Sequence, residues 1–161
     1  MGFFDLFKNK KKNELSLSED QKIAQLQITS YPIKILVAWG EAIDGNAKIR
    51  DWLMKNKYEE LGMFCFALRN DSKAQDWLMK NGFPHLVALI KAIEGDKKAR
   101  QWLLTHHFEI LYHMGVAADG NIDSKRFLLT HDKVYAALSK KMEKVKDNIE
   151  FDNNSVHSIN P

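Results

Sequence analysis

Three histidines, His106, His107 and His113, fall within eight residues of one another, and Asp119 follows six residues later. These are the residue types that hold transition metals, but a tetrahedral site needs three or four ligands converging on one point. His107 and His113 are six apart, which puts them on different faces of a helix rather than on the shared face that a spacing of four gives. A metal-dependent enzyme built on His107, His113 and Asp119 is therefore not the expectation. Asp119-Gly120-Asn121-Ile122-Asp123 opens like a calcium loop, yet loop position six is Ser124 where glycine is required and position twelve is Thr130 rather than glutamate. Cys65 is the only thiol, and a catalytic thiol needs an accessible electropositive setting. No phosphate loop, G-x-S-x-G or H-E-x-x-H pattern occurs. The expectation is a chain without catalytic residues, metal or cofactor.

The chain that must position these residues has 161 residues with 45% hydrophobic and 28% charged content, which suits one domain or a short repeat array. No uncharged apolar run approaches the roughly 18 residues of a membrane span. One cysteine rules out an internal disulfide framework and a Cys-rich zinc site. The net charge is +3, and residues 1–12 alone carry Lys8, Lys10, Lys11 and Lys12 against Asp5. Between Ser30 and Leu138 fifteen Lys or Arg face thirteen Asp or Glu, so the body is nearly neutral and its bulk charge does not demand nucleic acid. In residues 1–17 the aromatics Phe3, Phe4 and Phe7 come before the lysines, the reverse of a secretory leader, and Leu6 breaks the myristoylation pattern. This amphipathic, basic segment is expected to cover the exposed end of the first repeat, to touch a membrane or a partner through Phe3, Phe4 and Phe7, or to be disordered. A cytoplasmic location is expected.

The strongest signal is repetition. Trp52-Leu53, Trp77-Leu78, Trp102-Leu103 and Phe127-Leu128 recur every 25 residues, inside DWLMKN, DWLMKN, QWLLTH and RFLLTH. Ala42, Ala67, Ala92 and Ala117 keep the same period, as do Leu36, Leu61, Leu86 and Leu111. Each unit reads as two short helices. Gly45, Asn70, Gly95 and Gly120 tolerate the left-handed conformation that ends a helix, and Asn46, Asp71, Asp96 and Asn121 directly after them are N-caps. The first helix of a unit has one apolar face (Ile49, Trp52, Leu53), whereas the second is apolar over a wide arc and must be covered on several sides. The periodic tryptophans 52, 77 and 102 are expected in the core, with Trp39 partly open in the first unit. Cys65 shares its position with Gly40, Ile90 and Gly115 and is expected to be a small buried hydrophobe. His106 and His131 take the places of Asn56 and Asn81 at a helix end, where each can bond a free carbonyl. Ser18 with Gln21 forms a capping box that opens a helix through about Gln27. Val134–Lys146 is read as a more charged closing helix, with Ala136 and Met142 in place of the repeated Leu and Ala.

The expected fold is all-α, a right-handed αα-solenoid of about five short helical hairpins. Residues 18–147 form the helical-repeat domain and 148–161 a flexible tail. The architecture resembles the αα-hairpin class of HEAT, armadillo and tetratricopeptide repeats, although the unit here is shorter than theirs. That resemblance implies binding through an extended surface. The expected function is a non-catalytic scaffold for another protein or peptide, with Lys34, Glu41, Glu59, Glu60, His85, Lys91, Glu109 and Tyr112 as candidate contacts. The alternative is nucleic-acid binding, with phosphates on a ridge of Lys48, Arg50, Lys73, Lys98, Arg100 and Lys125.

Overall fold

The computed structural model describes residues 18–157; Phe3, Phe4 and Phe7, and the roles expected of them, lie outside the described residues. Ten α-helices and no strand occur among the described residues: α1 (Glu19–Leu26), α2 (Ile33–Ile43), α3 (Ala47–Lys55), α4 (Glu59–Leu68), α5 (Ser72–Lys80), α6 (Pro84–Ile93), α7 (Lys97–Thr105), α8 (Glu109–Ala118), α9 (Ile122–His131) and α10 (Lys133–His157). A 3₁₀ turn, Ile28–Ser30, joins α1 to α2.

The helices α3, α5, α7 and α9 start at 47, 72, 97 and 122, and one device sets all four starts. Gly45, Asn70, Gly95 and Gly120 have positive φ. The next amide reaches back five residues, as Asn46 N–H does to the Glu41 carbonyl and Asp96 N–H to that of Lys91. That is the Schellman closure of a helix C-terminus. The same residue, Asn46, Asp71, Asp96 or Asn121, then accepts the backbone N–H three residues on with its side chain. One helix therefore stops and another starts within three residues. The Ser18–Gln21 capping box opens α1 as expected, and α1 ends at Leu26.

The reverse turns carry a matching device that residue types alone conceal. Lys57, Gly82 and His107 also have positive φ, and Tyr58, Phe83 and Phe108 donate their amides to Leu53, Leu78 and Leu103. Only Gly82 is a residue that announces this conformation. The fourth such turn differs, because Asp132 is extended and its carboxylate accepts the Val134 amide. One residue is thereby lost between α9 and α10. The closing helix slips by one position from the expected alignment: Tyr135 and not Ala136 fills the place of Leu36, and Ser139 that of Gly40. Tyr135, Leu138, Ser139 and Met142 are all buried in consequence.

The more apolar helices α2, α4, α6 and α8 pack side by side in chain order, and α10 packs on α8. Each of α3, α5, α7 and α9 lies outside one adjacent pair and touches both members. The row does not remain open, because α10 returns to pack against α2 and also touches α4. Five inner helices therefore form a closed circuit. Gly40 makes the return possible: a Cβ there would sit 3.2 Å from the Lys141 stem and 3.4 Å from Leu138. Lys141 bonds Asp44 and lies 3.5 Å from Glu41 at the end of α2, while Lys146 pairs with Glu94 at 2.6 Å and with Asn70 at 3.1 Å. The Asp44 hydrogen bond raises the Lys141 pKa. These cations lie where the free carbonyl ends of the inner helices point. Residues 148–157, expected as a flexible tail, continue α10 as helix to His157, and Ile149 packs on the core.

The tryptophans do not share one environment. Trp102 is 2% exposed and stacks on Phe108 and His106; Trp77 is half-buried and stacks on Phe83. Trp52 is 49% exposed, which corrects the expectation of a core role. Its would-be stacking partner Tyr58 lies instead against Tyr31, 6.1 Å between centroids. Trp39, expected to be partly open, is fully buried, with its indole N–H on the Leu61 carbonyl and an edge contact to Phe64.

Two outcomes follow for stability, both measurable by urea unfolding. Trp102→Ala should cost about 3–5 kcal/mol, and Trp52→Ala less than about 1 kcal/mol. Gly115→Ala should cost about 1–3 kcal/mol, since its new Cβ would lie 2.6 Å from Ala92 Cβ and 3.3 Å from backbone. Gly40→Ala should cost less, because the flexible Lys141 stem can move aside.

Candidate functional site

Each group singled out for chemistry is held by a neighbour of its own. His106 Nδ1 lies 2.9 Å from the Trp102 carbonyl and His131 Nδ1 3.0 Å from that of Phe127, as Asn56 and Asn81 donate to Trp52 and Trp77. All four close the end of an outer helix, the role expected of them. His107 occupies the positive-φ turn, and its carbonyl accepts from the Gln27 side chain. His113 Nδ1 lies 2.9 Å from the buried Ser124 hydroxyl, and its ring stacks on Phe127 at 3.7 Å. Partial burial lowers its pKa. Asp119 pairs with Arg100 at 2.6 Å. The structure thus does not bring His107, His113 and Asp119 together, and among the described residues no three His, Cys, Asp or Glu side chains lie close enough to hold a metal ion. In the calcium-like stretch, Asn121 serves as the cap of α9.

Cys65 is buried with its thiol against the Leu61 carbonyl, and burial pushes its pKa up to about 12. A thiol so held stays protonated and inert.

Two of the expected partner contacts are not at the surface. His85 is 1% exposed and Glu60 8%. Both sit on the second residue of their helices, α4 and α6, on the side that the circuit turns inward. The Glu60 carboxylate accepts the Tyr31 hydroxyl at 2.7 Å; burial and this carboxylate push the Tyr31 pKa up. The His85 ring stacks on Phe108 at 4.9 Å and 7°, in a run of rings from Trp77 through Phe83 to Trp102. Its Nδ1 has no hydrogen-bond partner, and burial lowers its pKa to about 3. With Leu26, Ile28 and Tyr31, His85 lines a packing gap at the centre of the circuit too small for a water. Lys34, Glu41, Glu59 and Glu109 are exposed, and Lys91 and Tyr112 are half-buried.

The ridge of six cations is reduced to three. Arg50 lies over the Phe66 ring at 4.4 Å and pairs with Asp51. Arg100 donates twice to the Ala92 carbonyl as well as to Asp119, and Lys125 turns to Glu143. These three share one position with Gln75, which donates to the Ala67 carbonyl; the position leans toward the inner layer and is only partly open to solvent. Lys48, Lys73 and Lys98 remain exposed.

What the surface does offer is apolar. Ile33, Val37, Trp52, Leu104, Ile122, Leu129 and Phe151 are 39–73% exposed. A groove of about 350 Å³ lies nearby between the end of α2 and α10, lined by Asp44, Lys140, Lys141, Glu143, Lys144, Asp147 and Asn148. Among the described residues no helix is long and apolar enough to cross a membrane. No protein-family model matches the chain, and neither a curated protein nor a solved structure shows significant similarity to it.

The neutral His85 ring has a consequence for stability. Its folded pKa lies below the unfolded value near 6.5, so the unfolded chain binds the extra proton. Stability is full above about pH 6.5 and falls as pH drops toward 3, by at most about 1.4 kcal/mol per pH unit for this one proton. Urea midpoints measured from pH 7 to 4 should show a shallower decline in His85→Phe than in the unsubstituted protein. Equal slopes would assign the acid sensitivity to other groups, His113 among them.

Proposed function

We propose that the chain is a non-catalytic binding module that presents the outside of its helical array to another protein or peptide. The array is read as a right-handed αα-solenoid of five short hairpins drawn into a closed circuit. The even spacing of the outer-helix starts, at 47, 72, 97 and 122, supports this reading. The observation that carries the function is a division of labour. His85, His106, His113 and His131, the thiol and the buried carboxylate are committed to caps, stacks and internal hydrogen bonds, while seven large apolar side chains stand at the surface among the described residues. Surface apolar residues scattered singly are ordinary; here Ile122 and Leu129 share one face of α9, and Ile33 and Val37 one face of α2. Closure of the circuit turns the binding surface outward, since the inner helices bury one another. The cytoplasm as its compartment belongs to the same proposal.

A second reading retains nucleic acid, favoured by Lys48, Lys73 and Lys98, which remain exposed at one position of three successive outer helices. The two are separated by pull-down of the full tagged chain with and without nuclease, followed by salt titration of the retained species. A protein partner should survive nuclease and be weakened by a Glu substitution at one of the exposed apolar positions, Val37 on α2 or Leu129 on α9, neither of which touches a buried face. Retention that vanishes with nuclease, with a log–log salt slope near −3 for three phosphate contacts, would transfer the function to the lysines.

A further inference from the structure

We propose that the gap in the outer layer between α10 and α2 is the docking site for an amphipathic α-helix of a partner protein, of the same length and build as the four outer helices. This rests on the protein-binding reading above and gives it a surface and a partner chemistry.

The gap follows from the circuit. Five inner helices make five adjacent pairs, and four of them are bridged by α3, α5, α7 or α9. The fifth pair, α10 and α2, touches directly, and among the described residues no helix bridges it. The residues facing the gap show what is missing. Val37 is the repeat counterpart of Gly62, a position so closely covered by α3 that a Cβ there would collide with Met54 and approach the Arg50 carbonyl. The next counterpart, Val87, is 3% exposed, whereas Val37 is 54% exposed. Ile33, 50% exposed, stands in the place of Phe83 and Phe108, which are half-buried and buried. The surface of α2 is thus made for a neighbour of the kind that its counterparts have, continuous with an interface formed four times elsewhere. At its border, Lys34 beside Ile33, and Lys144 and Asp147 in the adjoining groove, are exposed and carry no ion pair among the described residues, and the groove's three lysines and three carboxylates balance. An occupant with mixed charges flanking its apolar face, as the outer helices themselves have, matches that border.

The outer helices themselves define a probe. A hydrocarbon-stapled peptide of Asp71–Asn81, which holds the helical form a free peptide of this length lacks, is titrated against the full chain by fluorescence polarisation. Saturable one-to-one binding is expected, weakened at least tenfold by Val37→Glu and unchanged by Leu129→Glu on the opposite side of α10. Both substitutions are at exposed positions, and circular dichroism checks that each variant is folded. No binding, or binding indifferent to Val37→Glu, overturns the proposal. Loss on Leu129→Glu alone would overturn the docking site while keeping the protein-binding reading. Thiol labelling of Val37→Cys, with Cys65 buried, should be fast in the free protein and slowed by the peptide. Slow labelling of the free protein overturns the proposal too. If Phe3→Ser/Phe4→Ser/Phe7→Ser restores the rate, the chain's own first residues fill the gap, and if dilution restores it, a second copy does.

Discussion

The contact on which the rest of this architecture depends is that of α10 with α2. Helices as apolar as α4, α6 and α8 need cover on both flanks, and within the row each provides it for the next. At the two ends of an open row that cover would be missing. Here Gly40 removes one side chain from α2, so that Leu138 and the stem of Lys141 come close. The first and last inner helices then serve as each other's cover. Lys141 and Lys146 fix the register by binding carboxylates at the ends of α2 and α6. These are partly exposed pairs, worth about 1 kcal/mol or less each, so they orient α10 more than they stabilise it. The apolar contact supplies most of the energy.

Much of this was legible in the sequence, and the reason is that the legible parts are local. A capping residue three positions before the amide it binds, a glycine at a left-handed turn, and an Asn or His four positions after a carbonyl all act within one helical turn. Asn46, Asp71, Asp96 and Asn121 could therefore be assigned from type and position. The same turn geometry at Lys57 and His107 could not, since lysine does not favour positive φ and histidine far less than glycine does; the equivalent Gly82 gave the clear signal. The slip at Asp132 was hidden for the opposite reason. A one-residue change in a turn leaves the residue types of the next helix in place while rotating every one of them by about 100°.

The long-range features were not legible. That Trp52 lies open while Trp102 is enclosed depends on where Tyr58 and Phe108 point, and thus on Tyr31, which precedes α2 and is distant from Tyr58 along the chain. Glu60 and His85 looked like surface residues because charge and polarity usually are. Their burial is set by the circuit, which turns the second residue of α4 and of α6 toward the centre. The exposed lysines 48, 73 and 98 lie outside, as their places in the repeat imply. Their neighbours at 50, 100 and 125 turn inward, because the carbonyl end of an adjacent inner helix, an aromatic ring or a carboxylate offers each a partner there.

Closure also bears on how such a chain can change. In an open stack, duplicating or deleting one unit lengthens or shortens the row and leaves every remaining interface intact. In a circuit the last helix must arrive beside the first, so a sixth inner helix would have to force the ring wider, and loss of one would leave it unclosed. The copy number here is fixed by geometry. Exposed side chains can still be exchanged without altering how many units there are.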